Sequence, residues 1–130
     1  ILRDDLGGML AIGEGRPQAG VDAIRRAAHR YETLAFDFGP PVPIKPPHEL
    51  LGEQLLKQGN TTDARTAFGT ALKNAPRRTR SLLGRARAES ASGDTAAATA
   101  TYKELMTIWH SADADLPALA EAKGFVAAHP

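Results

Sequence analysis

KPPHELLGEQLLKQGNTTDARTAFGTALKNAP, residues 45–76, reads as two short helices joined by a tight turn at Gly59-Asn60. His48, Leu51, Gly52 and Leu55 fall on one face of the first helix, and Ala64, Phe68 and Ala71 on one face of the second. Pro76 ends the unit. The spacing has a mechanical reason. Small residues at Gly52, Ala64 and Ala71 let helices approach closely, and Phe68 fills the space between them.

Outward from this unit the pattern recurs on both sides. Gly8, Gly15, Gly20, Ile24 and Ala27 stand 44 positions before Gly52, Gly59, Ala64, Phe68 and Ala71, and Ala86, Gly93, Ala98 and Tyr102 stand 34 positions after Gly52, Gly59, Ala64 and Phe68. The upstream offset is one 34-residue period plus a ten-residue insertion, AFDFGPPVPI at 35–44. The first unit predicts helices over Leu2–Gly13 and Pro17–Leu34, with Gly15-Arg16-Pro17 as the turn. Five prolines between 40 and 47 forbid a regular helix there and predict an extended, partly polyproline segment, anchored by Phe36 and Phe38. In the third unit Gly93 suits a left-handed helix end, and Asp94 or Thr95 a cap. Arg85 and Glu89 stand where the second unit has Leu51 and Leu55, which puts the packing of that face in question. After a polar linker at 111–115, Asp115-Leu116-Pro117 reads as a capped helix start. Leu116, Leu119, Ala120 and Phe125 are expected on the apolar stripe of a last helix ending near Ala128, with Glu121 and Lys123 toward water.

A large residue, Leu-Gly, a large residue, then Ala-x-x-x-Phe and a closing Pro resembles one tetratricopeptide repeat. The resemblance, to the bacterial type of such proteins, covers nearly the whole chain. It implies an all-α superhelix of three helix-turn-helix pairs plus one capping helix. The repeats fall at 1–34, 45–78 and 79–112, with the cap at 113–130. Residues 1–130 read as a single domain, and the opening at Ile1 rather than Met suggests a fragment or processed form of a longer chain. The N-terminal end lacks a cap, so further repeats, a partner or a second copy are expected to cover it. The resemblance further implies that the first helix of each pair lines a concave, partner-binding face. By alignment those positions are Leu2, Asp5, Met9 and Ile12, then Glu49, Glu53 and Leu56, then Arg80, Leu83, Arg87 and Ser90. A subgroup of similar proteins clamps C-terminal carboxylates with Lys and Asn; here those positions hold Asp5, Met9, Leu50, Arg80 and Gly84, and only Arg80 keeps the charge.

Composition narrows the remaining classes. The chain has 130 residues and a net charge of +1, so no global field points to nucleic acid or to a membrane surface. It has no Cys, which removes disulfides and thiolate metal sites and leaves the compartment open, and no apolar run approaches the ~20 residues of a membrane span. The histidines at 29, 48, 110 and 129 form no metal-ligand motif; His48 with Glu49 and Glu53 is the one candidate, and core packing of His48 is the better reading. The serines at 81, 90, 92 and 111 have no nucleophile-elbow context, and Gly7-Gly8 and Gly13-x-Gly15 do not precede a Gly-Lys-Ser/Thr. No catalytic residue, cofactor or metal is therefore expected, and the chain does not read as an enzyme. Lys73, Arg77, Arg78, Arg80, Arg85 and Arg87 put six cations in fifteen residues without an acid, but lack the interleaved aromatics of a nucleic-acid patch. The expected function is a protein-interaction scaffold. Its groove should be acidic at Glu49 and Glu53, basic at Arg80 and Arg87, with apolar anchors at Met9, Ile12, Leu56 and Leu83. A structural spacer or oligomerising segment is the alternative, followed by a metal-binding or enzyme accessory domain.

Overall fold

The computed structural model describes residues 1–33, 45–111 and 116–130. Among them the chain is all-α: α1 (Leu2–Gly13), α2 (Pro17–Glu32), α3 (Pro47–Lys57), α4 (Thr61–Asn74), α5 (Thr79–Ala91), α6 (Thr95–Ile108) and α7 (Pro117–Ala128). The helices pack in consecutive pairs, α1 on α2, α3 on α4 and α5 on α6, and each pair leans on the next to build a superhelical stack. The expectations for the insertion, including its Phe36 and Phe38 anchors, and for Asp115 fall outside the described residues.

The three intra-pair turns are copies of one another. Gly15, Gly59 and Gly93 have φ of 78°, 78° and 81°, the left-handed region that only Gly enters without strain. In each turn the following residue donates back to the helix: Arg16 N to Ala11 O at 2.8 Å, Asn60 N to Leu55 O at 2.9 Å and Asp94 N to Glu89 O at 3.0 Å. These bonds satisfy carbonyls that a helix end would otherwise leave unpaired. Asn60 and Asp94 then cap the next helix, accepting from Asp63 N and Ala97 N, whereas α2 has no side-chain cap and starts on Pro17, whose missing N–H needs no partner in the first turn.

Phe68 is the keystone of the middle. It is fully buried on α4, and its ring lies so close to α3 and α5 that a Cβ on Gly52 would sit 2.9 Å from it and a Cβ on Gly84 2.3 Å. Val21, Ile24, Leu50, Leu51, Leu55 and Ala88 complete this core, and a second forms from Leu72, Leu82, Ala86, Tyr102, Leu105 and Ala122. Arg85 and Glu89 do not spoil the α5 face. Glu89 is fully buried, and its carboxylate accepts from Arg85 Nε at 2.8 Å and Thr101 Oγ1 at 2.7 Å, so charge-assisted hydrogen bonds stand where leucines pack one pair earlier.

Two sequence expectations are corrected at α7. Leu119 and Ala122 are its buried residues, whereas Ala120 is exposed; the stripe runs at i, i+3 from Leu119. Glu121 does not face water alone but accepts from Arg87 and Tyr102, because the same turn that buries Ala122 brings it against α5 and α6. Lys123 is exposed as expected.

Candidate partner-binding groove

α3 and α5 are the first helices of adjacent pairs and contact each other directly. Between them opens a cavity of about 460 Å³ lined by Glu53, Leu56, Arg80, Leu83 and Arg87, five of the residues expected from sequence. Lys45, Lys57, Phe68 and Gly84 complete the lining. Leu56 and Leu83 are half-buried, each packed against a core on one side and open to the cavity on the other. The result is an apolar floor with a charged rim.

The charges differ from the sequence expectation, and Glu49 is the correction. It is 0% exposed and presents nothing to a partner. Arg78 grips its carboxylate through Nε at 2.6 Å and Nη2 at 2.9 Å, and Ser81 Oγ donates at 2.6 Å. Burial pushes the Glu49 pKa up, but the hydrogen bonds from Arg78 and Ser81 outweigh it and hold the carboxyl below its ordinary value. Glu49 is thus a strut between α3 and α5. Asp5, the equivalent on α1, is also buried, at 6% exposed; with one oxygen unpartnered among the described residues, burial raises its pKa to about 6. Ile12 is half-buried against the first core, and Met9 is exposed on α1; neither lines the cavity, and nor do Leu2 and Ser90.

On the rim, Glu53 is held by Lys45 Nζ at 2.5 Å. Arg87 donates to Glu121 through two nitrogens at 2.9 and 2.6 Å, and the Tyr102 hydroxyl donates to the same carboxylate at 2.7 Å. The Arg87 hydrogen bonds are the chief reason the Glu121 pKa lies below its ordinary value, with burial opposing them. Lys57 and Arg80 are exposed, and among the described residues neither has an ion pair. The six-cation run is therefore not a free patch: Arg78, Arg85 and Arg87 are each tied to a carboxylate. Lys45 and Lys57 escaped the sequence reading. Lys45 precedes its helix, where periodicity gives no signal, and Lys57 follows Leu56 by a single position at the end of α3.

His48 is buried on α3, with Nε2 3.0 Å from a Glu32 carboxylate oxygen, and burial lowers its pKa against the opposing pull of Glu32. Among the described residues no group of three His, Cys, Asp or Glu side chains is placed to hold a metal ion, and no helix is long and apolar enough to cross a membrane.

Stacked helical hairpins with a repeating left-handed glycine and a groove along their first helices define an α-helical repeat protein. Residues 50–112 match the family profile described as Tetratricopeptide repeat, and together with the seven helices, three pairs and α7, this match supports a tetratricopeptide-repeat protein. Such repeats are generally protein-interaction modules and typically non-catalytic. No curated protein matches the chain.

Proposed function

We propose that the chain is a non-catalytic scaffold that binds a segment of a protein partner in the groove between α3 and α5. The observation that carries this reading is the convergence of Leu56 and Leu83 on one open cavity of about 460 Å³ whose rim holds Glu53, Arg80 and Arg87. An apolar floor supplies affinity, and a charged rim orients the ligand. In this reading residues 1–130 act as one domain, with repeats at 1–34, 45–78 and 79–112 and a cap at 113–130.

A second reading, an oligomerising segment, draws on α1. Leu2, Leu6 and Leu10 are 68%, 62% and 63% exposed. Leu6 and Leu10 stand 44 positions before Leu50 and Gln54, which are only 7% and 4% exposed, on a helix that packs against α2. Affinity purification with mass spectrometry separates the readings, using wild type, a folded Leu56→Gln/Leu83→Gln variant and a Leu6→Lys/Leu10→Lys variant. Loss of the co-purifying protein with the groove variant alone supports the scaffold. Loss of self-association with the α1 variant alone, and a groove variant that keeps every partner, supports the oligomerising segment.

A further inference from the structure

We infer that the segment the groove takes is acidic: a stretch of Asp and Glu carrying at least one apolar side chain. The inference rests on the groove reading above and names the chemistry of its ligand. The sequence alone predicts a groove acidic at one end and basic at the other, but folding removes the acidic half. Glu49 is sealed under Arg78 and Ser81, leaving Glu53, among the described residues, as the only carboxylate on the cavity wall, against the cations Lys45, Lys57, Arg80 and Arg87. Glu53 is neutralised by Lys45, and Arg87 by Glu121 from α7.

What remains is Lys57 at the end of α3 and Arg80 at the start of α5. Both line the cavity, both are exposed, and among the described residues neither meets a carboxylate. They flank the floor made by Leu56 and Leu83. A basic ligand would meet two uncompensated cations, and a neutral one would leave them unused. An acidic segment places carboxylates on both while an apolar side chain enters between the leucines. The guanidinium of Arg80 can take a carboxylate through two parallel N–H bonds.

Nucleic acid offers the same anionic charge but fits the floor less well. Base stacking needs an exposed aromatic face, and Phe68, the only aromatic on the cavity wall among the described residues, is fully buried as a residue. With a net charge of +1 the chain also has no global field to draw in a phosphate backbone.

The test uses the full chain and three fluorescein-labelled peptides of equal length, each with one central Leu and flanked by Asp/Glu, by Asn/Gln or by Lys/Arg. Anisotropy is read at about 50 and about 150 mM salt, on either side of a Debye length of about 10 Å. The acidic peptide is expected to bind about tenfold tighter than the neutral one at the lower salt, with the gap narrowing at the higher, and the basic peptide not to bind. Lys57→Glu/Arg80→Glu should erase the acidic preference, and Leu56→Gln/Leu83→Gln should weaken acidic and neutral peptides alike. If the neutral peptide binds as well as the acidic one and the leucine variant weakens both, the groove stands and the acidic assignment falls. If no peptide binds, or neither variant changes binding, both fall. A labelled single-stranded DNA of the same length binding more tightly than the acidic peptide also overturns the assignment.

Discussion

Replacing Gly84 by Ala tests the packing that aligns the two walls of the groove. The added Cβ would lie 2.3, 2.4 and 2.8 Å from ring carbons of Phe68, against the ~3.5–4.0 Å at which carbon atoms rest. The ring cannot simply retreat, since on its other side α3 is so near that a Cβ on Gly52 would be 2.9 Å away. Overpacking of this kind costs ~1–3 kcal/mol, and the gain in helix propensity returns up to ~1 kcal/mol. The net expectation is a loss of ~1–2 kcal/mol, a fall in Tm of roughly 3–6 °C for a chain of this size. Gly69→Ala is the control, because nothing lies within 4 Å of a Cβ there and α4 should gain up to ~1 kcal/mol. Urea and thermal unfolding followed by circular dichroism measure both. In a Phe68→Leu background the cost of Gly84→Ala should shrink by ~1 kcal/mol or more, the signature of direct contact. Gly84→Ala as stable as Gly69→Ala, or additive with Phe68→Leu, would refute the packing.

Arg78→Met should cost ~3–5 kcal/mol by stranding the buried Glu49 carboxylate, and Glu49→Leu/Arg78→Met should recover much of that loss in a denaturant titration. Because the folded Glu49 pKa lies below its ordinary value of 4.5, this pair's stabilisation is present above about pH 4.5 and disappears as pH falls below it; a Tm that does not drop with acid in the wild type would contradict the strut. Asp5 has the opposite sign: its pKa rises from 3.8 to about 6 on folding, so it costs stability as pH climbs across that window. Asp5→Asn should therefore stabilise by ~1–3 kcal/mol above pH 6 and little below pH 3.8, read as Tm against pH. Deleting residues 113–130 should uncover Tyr102 and Leu105 and cause aggregation by light scattering, where a monomeric, equally stable truncation would remove the capping role of α7.

The sequence spoke clearly where a residue's own backbone or volume forces the geometry. The positive-φ glycines at 15, 59 and 93 and the buried Phe68 mark the pairs at their true spacing, and helix ends follow to within a residue or two. It was silent where the geometry depends on a distant partner. Nothing local distinguishes Glu49, buried under an arginine 29 residues away, from Glu53, which stays on the rim. Glu121 is likewise indistinguishable in sequence from a solvated helix residue, because Arg87 and Tyr102 reach it from two other helices. That Leu56 and Leu83 line the cavity was legible, because both sit on first helices of their pairs. The cavity's charge was not, since ion pairing between helices cancels most of what the sequence displays.

The central claim, that a partner segment occupies the α3–α5 groove, is tested most directly by site-specific photocrosslinking. A benzophenone side chain is placed at Leu83 on the groove floor or, as a control, at the exposed Lys103 on α6, and adducts formed in extract of the source cells are identified by mass spectrometry. The account predicts one dominant protein adduct from position 83, competed away by unlabelled chain and absent from position 103. The same adducts from both positions, or none from position 83, would contradict it.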